Sequence, residues 1–413
     1  MTSLFHHRTT CRLCGSSQVE IFVPLNPIPL TSPNIGMTDE LRSRGDTEVM
    51  VPVDVWVCHD CGHIQLLDVI DSAIQYNNFL YTTSISLGLA EHFGALAREV
   101  IERAGLKAGD LVVEVGSNDG TLLRFFKDAG MVVLGIDPAR ETARRATEAG
   151  IETIGDFFTG ALGRQLRETR GAAKVIISNN TFANLDDCDD VTQGIVALLA
   201  ADGLFVFETS YGADVIEKGL LDTIYHEHLS YFTVRPLERF FRRHGMEMFD
   251  VERIWTKGGS IRGFVQHKEA GRPILPGVAE LIAHETALGL DRRPIYQAFS
   301  DRIEVARAKL EDQIAEAAKT GRPLAAYGAS VGSVTLIHQF DLSRRLAFIA
   351  DDKPLGEALA GPTYRIPIVA SPALYDQNPA LVVILAWRYA EPIMAKHRAF
   401  TEKGGVFAMP LPL

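Results

Sequence analysis

Uninterrupted apolar runs alternate with helix-length segments through the middle of the chain. The runs have the length of strands buried on both faces of a sheet, and they occur in LVVEV, VVLGI, AKVII and GLFVF. Apolar residues at helical spacing precede them from Gly88 to about Ala104. This alternation predicts a doubly wound, Rossmann-like α/β domain over residues 71–255.

The same alternation returns in the last third of the chain. A charged, amphipathic segment from Tyr296 to Thr320 predicts a long helix, and it leads into PLAAYGASVGSV, LAFIADDKP and ALVVILAW. These stretches indicate a strand, a glycine turn, a helix and further strands. Residues 256–413 are therefore predicted to form a second Rossmann-like α/β domain.

Residues 1–70 follow a different pattern, with period-two alternation in VMVPVDVWVC and a proline-rich stretch, VPLNPIPLTSPN. Alternation of this kind predicts short, half-buried strands, so this region is predicted to be a small β-rich module with a thin core. A length of 413 residues agrees with two or three domains.

Composition and charge limit the classes of molecule that we expect the protein to bind. The chain is 46% hydrophobic and 23% charged, as in an ordinary globular protein. A net charge of −11 and a pI near 5.6 disfavour nucleic acid, because phosphates are neutralised by clustered Lys and Arg. The sequence shows no membrane-spanning apolar run, and MTSLFHHRTTCRLC lacks the apolar core of a signal peptide, so we expect a cytoplasmic protein without a membrane partner.

Four of the five cysteines form two CxxC pairs, each followed by a glycine: Cys11, Cys14, Cys58 and Cys61. In a reducing compartment this spacing favours thiolate ligands over disulfides. A tetrahedral zinc would close the module, and because four thiolates leave no open position, the metal is predicted to be structural. His59 and His63 rank lower as ligands, and four unlinked thiols are the alternative.

The turn EVGSNDG indicates a ligand. Gly116 and Gly120 bracket a tight strand-to-helix turn that lets a ligand approach the backbone closely. Asp137, at the end of the next strand, can hold a ribose hydroxyl pair, so the two features together indicate an adenosine-bearing cofactor. NAD is one candidate. The E-x-G-x-x-x-G spacing and the presence of Asn118 and Asp119 favour S-adenosylmethionine, which has no pyrophosphate to bind.

Asp156 and Phe157, in IGDFF, are predicted to bracket the adenine, the carboxylate accepting from its amine and the ring stacking on it. Phe157 and Phe158 could equally be core residues. Asn179 is a further candidate cofactor contact.

The stretch TIYHEHLSYF, residues 223–232, places titratable groups at consecutive positions. A helix would put Tyr225 and His228 on one face, whereas a strand would pair Tyr225 with Glu227 and His226 with His228. The stretch lacks the H-E-x-x-H pattern of zinc proteases. Forming a carbanion beside a carbonyl requires a base and donors for the enolate oxygen, and this stretch supplies both, so acid-base chemistry at carbon is predicted.

Together these segments resemble the sugar C-methyltransferase family of deoxysugar biosynthesis. The resemblance covers essentially the whole chain and rests on both CxxC pairs and on YNNFLYTTSIS, VVEVGSNDGTLL, GIDPA, YHEHLSYF, KGGSIR, AYGAS, ADDKPLGEALAG and ILAWRYAE. It implies an N-terminal zinc module, a central S-adenosylmethionine domain and a C-terminal Rossmann-like domain that closes over a nucleotide-diphosphate sugar. The implied reaction is methyl transfer to carbon, usually C3, of a nucleotide-linked 4-ketosugar.

The resemblance also implies residue roles. His228 would remove the sugar C3 proton. Tyr225 and Glu227 would orient His228 or stabilise the enolate, and Tyr76 would reach into the same site. The turn at Gly328 would contact phosphate. The predicted substrate contacts are His226, Asn184, Tyr327, Gly328 and Ser330.

Two places depart from the family pattern. Asn184 stands where the family often has a histidine, and Gly332 and Ser333 stand where it commonly has a lysine and a glycine. These changes fit a different sugar or a relative with altered chemistry. The alternatives are a nicotinamide-dependent oxidoreductase and a sugar-nucleotide-binding protein that has lost catalysis.

Overall fold

The computed structural model describes residues 4–29, 49–77, 83, 88–352 and 366–412. The strands form a four-stranded, a seven-stranded and a five-stranded sheet, together with two two-stranded pairs. The predicted class is confirmed: a small N-terminal β-rich region precedes Rossmann-like α/β architecture.

The N-terminal region consists of short strands and one short helix. Its elements are β1 (Phe5–His7), β2 (Val19–Val23), β3 (Ile28–Pro29), β4 (Met50–Val51), β5 (Val55–Cys58), β6 (Ile64–Gln65), β7 (Asp68–Ile70) and α1 (Ser72–Tyr76). Strands β2, β5 and β6 form an antiparallel sheet. Strand β5 alternates, because Val55 and Val57 are buried while Trp56 between them is half-buried.

The central sheet carries seven strands. They are β8 (Leu111–Val115), β9 (Val132–Ile136), β10 (Thr153–Ile154), β11 (Ala173–Asn179), β12 (Leu199–Ser210), β14 (Met246–Ile254) and β15 (Ser260–His267). Their order is β10-β9-β8-β11-β12-β15-β14, with β15 antiparallel to both of its neighbours and the rest parallel. The direction of winding reverses between β8 and β11, and open α/β sheets bind ligands beyond the carboxyl ends of the strands at such a point.

Helices cover this sheet. They are α2 (Leu89–Ala104), α3 (Thr121–Asp128), α4 (Arg140–Glu148), α5 (Gly160–Arg170), α6 (Cys188–Leu198), α7 (Gly212–Glu217) and α8 (Val234–Arg243). Helix α2 buries Phe93, Leu96, Ala97 and Val100 because this spacing places them on one face.

The C-terminal sheet is parallel. Its strands are β16 (Leu324–Tyr327), β17 (Leu346–Asp351), β18 (Ile368–Ala370), β19 (Leu381–Ile384) and β20 (Val406–Ala408), in the order β18-β17-β16-β19-β20. Helix α9 (Pro276–Leu288) packs against β14 and α8 of the central region. The helices that follow it are α10 (Arg293–Ala318), α11 (Val331–Gln339), α12 (Ala373–Asp376), α13 (Ala390–Lys396) and α14 (Arg398–Glu402).

Two strands cross the domain boundaries predicted from the sequence. The boundary at residues 255 and 256 falls inside the hairpin of β14 and β15, because both strands belong to the central sheet. Strand β13 (Ser230–Tyr231) leaves the central region and pairs with β6 of the N-terminal sheet. The segment that carries the predicted base is therefore attached to the cysteine-containing module.

One apolar cluster runs through all three regions. It includes Val57 of the N-terminal sheet, Ile176 and Ile261 of the central sheet, and Leu381 of the C-terminal sheet. Continuous burial of this kind holds the regions against one another. In the described part of the chain, no helix is both long and apolar enough to cross a membrane.

Candidate active site

A cavity of about 490 Å³ opens at the switch point of the central sheet. The turns after β8, β9 and β11 line it, together with Tyr225, Glu227, His228 and the start of α11. It brings together predicted residues from distant parts of the sequence: Tyr76, Gly116, Asn118, Asp137, Phe157, Asn179, Asn184, Tyr225, Glu227 and His228.

The turn between β8 and α3 depends on its two glycines. Gly116 has φ of +77°, and a Cβ at this position would overlap the Thr181 hydroxyl. Gly120 has φ of +74°, and a Cβ there would lie 2.9 Å from Ile151 Cγ2. Both positions therefore require glycine, because other residues rarely adopt this conformation and would also clash. Gly116 lines the cavity, whereas Gly120 does not.

Asp137 shapes the same turn from the end of β9. Its Oδ2 accepts from the backbone N–H of Asn118 at 2.8 Å, and its Oδ1 accepts from the N–H of Ala139 at 2.9 Å. Burial raises the pKa of Asp137, and burial followed by the charge of Asp137 raises the pKa of Glu114 well above its usual range. A cationic or hydroxyl-bearing ligand would offset the cost of burying these carboxyl groups.

Asn179 points to a ligand most directly. It is buried at the end of β11 and lines the cavity, yet its side-chain nitrogen and oxygen both lack a hydrogen-bond partner among the described residues. Buried polar atoms usually have partners in a folded protein. The glycine turn, Asp137 and Asn179 therefore fit S-adenosylmethionine, offering close backbone approach, a ribose acceptor and an amide.

Two other predicted cofactor contacts lie outside the cavity lining. Asp156 is exposed, and its carboxylate accepts from the N–H of Phe157 at 2.8 Å, so its predicted contact with the adenine amine has no support in the geometry. Asp119 accepts from the Thr121 hydroxyl at 2.6 Å at the start of α3. Phe157 does line the cavity, as does Phe158.

His228 is held by two hydrogen bonds in a turn that is neither helix nor strand. Its Nδ1 lies 2.9 Å from the carbonyl oxygen of Thr223, which can only accept, so Nδ1 carries the proton. Its Nε2 is then the acceptor for the Tyr225 hydroxyl at 3.0 Å. Burial, and next the charge of Lys257, lower the pKa of His228 to about 3, so the ring is neutral at physiological pH.

Tyr76, Asn184 and Glu227 lie around this histidine. The Tyr76 hydroxyl is 3.5 Å from the backbone carbonyl of Glu227, and Asn184 lines the same cavity. Burial, and next the charge of Glu227, raise the pKa of Tyr76 well above its usual range, so its hydroxyl remains a donor. The structure brings all four predicted catalytic residues to one cavity.

The predicted substrate contact at His226 does not lie in the cavity. Its Nε2 is 3.1 Å from the carbonyl oxygen of Val51, in the N-terminal module, and its side chain is buried there. The turn at 225–228 therefore directs His226 against the N-terminal module and His228 into the cavity.

The C-terminal substrate contacts also fall outside the cavity lining. The Tyr327 hydroxyl donates to Asp352 at 2.7 Å, Gly328 forms the turn after β16 with φ of +98°, and Ser330 caps α11. These three residues therefore make contacts or turns within the C-terminal domain. Val331, the first residue of α11, is the neighbour that does line the cavity.

The four cysteines of the two pairs come together: Cys11, Cys14, Cys58 and Cys61. Two sulfur pairs are 3.6 and 3.5 Å apart, and the four Sγ atoms lie within 4.8 Å of one another. A tetrahedron with zinc–sulfur bonds of about 2.3 Å has edges of about 3.8 Å, so the geometry fits zinc. His59 contacts Glu20 and His63 contacts Ser230 instead, outside this cluster.

Lys257 lines the cavity and was not among the predicted site residues. Its sequence context, WTKGGSIR, contains a glycine pair that indicates a turn. The direction of that turn depends on the pairing of β15 with β12, which local sequence does not specify.

Three parts of the chain match known families. Residues 11–76 match a proposed zinc binding domain, residues 89–251 match a methyltransferase domain, and residues 255–412 match a C-methyltransferase C-terminal domain. The C-methyltransferase NovU of Streptomyces niveus is 34% identical over 403 residues, which are 97% of this chain and 95% of NovU.

Solved structures give weaker likenesses. Magnesium protoporphyrin IX methyltransferase from Synechocystis PCC 6803, with bound SAM, is 12% identical, covering 44% of this chain and 80% of its own with a TM-score of 0.33. An S-adenosylmethionine-dependent methyltransferase from Clostridium acetobutylicum ATCC 824 is 10% identical, covering 43% and 91%, with a TM-score of 0.34. Similarity this low bears on no functional conclusion.

Proposed function

This chain belongs to the family of S-adenosylmethionine-dependent C-methyltransferases, and from that premise we propose that its acceptor is carbon C3 of a nucleotide-diphosphate-linked 4-ketosugar. The observation that best supports this proposal is the shared cavity of His228 and the Gly116 turn. A proton acceptor and a cofactor turn in one enclosed space are what methylation of an acidic carbon requires.

His228 is the proposed base. Its Nδ1 is committed to the Thr223 carbonyl, so Nε2 is the ring nitrogen that takes the C3 proton. The C–H electron pair becomes the carbon–carbon double bond, and the carbonyl pair moves onto oxygen. Burial keeps the resting ring neutral, and the negative charge formed on the sugar stabilises the imidazolium as it appears.

Several residues are proposed to position the reactants. Gly116, Asn118, Asp137 and Asn179 hold the cofactor, with Phe157 beside it. When bound, S-adenosylmethionine supplies an electrophilic methyl group, to which the enolate carbon bonds as the ketone re-forms. Tyr225, Glu227 and Tyr76 orient the base and the sugar, and catalysis of this kind relies mostly on positioning.

The nucleotide part of the substrate is proposed to extend toward the C-terminal domain, beyond Val331. The N-terminal end of α11 offers backbone N–H groups there, a favourable surface for a diphosphate. Asn184 remains a proposed sugar contact, because its Oδ1 is buried in the cavity without a hydrogen-bond partner among the described residues. Zinc, at the four cysteines, stays structural in this proposal.

Isotope exchange tests the base and the substrate together. The protein is incubated in deuterated water with a panel of nucleotide 4-ketosugars, with and without S-adenosylmethionine, and the sugars are analysed by mass spectrometry. We expect deuterium uptake without the cofactor and methylation with it. His228→Asn should lower both by about 100-fold or more, because an amide does not take up the proton.

His284→Gln is the matched control, since His284 lies outside the cavity lining, and it should keep both activities. Normal exchange in folded His228→Asn would remove the base assignment. Failure of every ketosugar to exchange or accept methyl in the unsubstituted protein would remove the substrate assignment. Hydride transfer with a nicotinamide cofactor would support the oxidoreductase alternative instead.

A further inference from the structure

Lys257 stands at the turn of the β14–β15 hairpin and lines the same cavity as His228. Its backbone has φ of 53° and ψ of 24°, a left-handed conformation that non-glycine residues seldom adopt. Conformations of this kind persist only where the surroundings impose them, and they concentrate at functional sites. The placement of this lysine is therefore specific.

Three contacts fix the turn around it. Arg388 of the C-terminal domain donates to the carbonyl oxygen of Lys257 at 3.3 Å, and Lys218 donates to the carbonyl oxygen of Gly258 at 3.1 Å. Gly259 packs so closely on Asp214 that a Cβ there would overlap its carboxylate. The Lys257 backbone is thus held from the central and the C-terminal domains.

The ammonium of Lys257 has no hydrogen bond or ion pair within the described ranges of the chain. The charged and titratable groups that act on it are Glu227, Arg388, Glu208 and His228. Glu208 is already bound by His92 and Arg262. The Lys257 side chain is exposed to solvent, but the protein atoms around it in the cavity partly desolvate the ammonium, and this desolvation lowers its pKa to about 8. It remains mostly protonated at neutral pH.

We propose that Lys257 is a catalytic residue whose ammonium binds the ketosugar oxygen that becomes negatively charged when His228 removes the neighbouring proton. This inference rests on the proposed function. The proton moves from carbon to His228 Nε2, the C–H pair forms the carbon–carbon double bond, and the carbonyl pair moves to the oxygen held by Lys257. When the carbon bonds to the methyl group and the sulfur–methyl bond breaks, the oxygen pair re-forms the ketone.

The position favours the enolate oxygen over the diphosphate. Lys257 and His228 line the same cavity, and the charge of Lys257 contributes to the lowered pKa of His228. A cation near the base is unfavourable for an imidazolium alone. It becomes favourable when an enolate oxygen forms between the two groups, because the ammonium and the imidazolium then both face that negatively charged oxygen.

Lys257→Met and Lys257→Arg test this assignment, with Lys319→Met, an exposed surface lysine, as the matched control. Cofactor-free deuterium exchange into the ketosugar is measured at varied substrate concentration. Methionine should lower kcat for exchange about 100-fold or more while KM changes less than about threefold. Arginine should retain more of the activity than methionine, because it keeps the charge, and Lys319→Met should match the unsubstituted protein.

The pH profile gives an independent readout. Exchange by the unsubstituted protein should fall as pH rises through about 8, because the ammonium loses its proton there, and Lys257→Arg should lack this decline up to pH 10. Exchange that instead rises through the same range would identify Lys257 as a base and overturn the proposal.

Three further outcomes would overturn it. A large rise in KM with unchanged kcat in Lys257→Met would assign the lysine to substrate binding, for example at the diphosphate. Unchanged exchange in folded Lys257→Met would show that Lys257 takes no part in the reaction. The loss of exchange in His228→Asn would still test the proposed function separately. Absence of exchange in the unsubstituted protein would overturn the proposed function itself, and this inference with it.

Discussion

His226 and His228 are two residues apart but contact different parts of the molecule. His226 is buried against the carbonyl of Val51 in the N-terminal module, whereas His228 bonds to Thr223 and Tyr225 at the cavity. Burial lowers the pKa of both rings, to about 4 and about 3. Burial therefore makes His226 a source of acid sensitivity in the folded protein, whereas it keeps His228 neutral for the proposed chemistry.

Replacing His226 by Gln is expected to preserve methyl transfer and to increase resistance to acid. A glutamine amide can still donate to the Val51 carbonyl but takes up no proton. The pKa of His226 falls from 6.5 to about 4 on folding, so its contribution to the free energy of unfolding is complete above pH 6.5 and is lost as pH falls toward 4. At pH 5 the loss is about 2 kcal/mol.

Thermal midpoints of both proteins at pH 8 and pH 5 measure this difference. The unsubstituted protein should lose more on acidification than the His226→Gln variant. Equal losses would contradict the stated pKa shift. A tenfold fall in methyl transfer would instead return His226 to the substrate site.

The sequence identified this titratable cluster but could not sort its members. Both regular geometries considered for the segment were wrong, because residues 224–229 form a turn. That turn is fixed by contacts such as His226 with Val51, 175 residues apart in the chain. Gly116 and Asp137 were easier to place, because their roles depend on two neighbouring strands with a short connection.

At the scale of elements, the connection between β8 and α3 gives a sharp test of the cofactor site. Gly116→Ala is expected to lower affinity for S-adenosylmethionine at least about tenfold, because its Cβ would overlap Thr181 at a φ of +77°. Isothermal titration calorimetry measures the affinity.

Gly109→Ala is the matched control for backbone strain. Gly109 also has positive φ, +90°, but a Cβ there meets nothing within 4 Å. It should cost about 1–3 kcal/mol of stability while leaving cofactor affinity unchanged. Equal affinity losses in both variants would mean that the Gly116 turn has no special relation to the cofactor.

The longer parallel strands, β8, β9, β11, β12, β16, β17 and β19, were predictable because apolar residues dominate them, whereas the short strands β10, β18 and β20 were not predicted. Strand β15, SIRGFVQH, pairs in the central sheet, although the boundary predicted at residue 256 groups it with the C-terminal domain. Its membership of the central sheet depends on pairing with β12, in which Val206 faces Phe264 although α7, β13, α8 and β14 lie between the two strands in the sequence. Pairing between distant segments is decided by packing, which local periodicity does not report.

At the scale of the whole molecule, the zinc module supports the proposed base from outside the cavity. Arg12 lies inside the first CxxC pair, and its buried guanidinium donates to the carbonyl oxygens of Leu66 and Leu229 at 3.0 Å each. The N–H of Leu66 donates to the same Leu229 oxygen at 2.9 Å. Leu229 directly follows His228, so the cysteine-containing module and the turn that carries the proposed base share a hydrogen-bond network.

Arg12→Lys is expected to lower ketosugar exchange and methyl transfer about 10- to 100-fold, because a single ammonium cannot reproduce the planar guanidinium contacts. Zinc content by atomic absorption should stay unchanged, and cofactor affinity should stay within about threefold, since the Gly116 turn lies on a different sheet.

Removing zinc with a chelator should cause at least as large a loss of exchange, because the cysteine loops that hold Arg12 then lose their anchor. Arg8→Lys is the matched control. Arg8 and Arg12 both donate to the Asp186 carboxylate, but Arg8 makes no bond to Leu229, so its replacement should leave exchange unchanged. Normal exchange by zinc-loaded Arg12→Lys would show that the module holds the fold together without positioning the base.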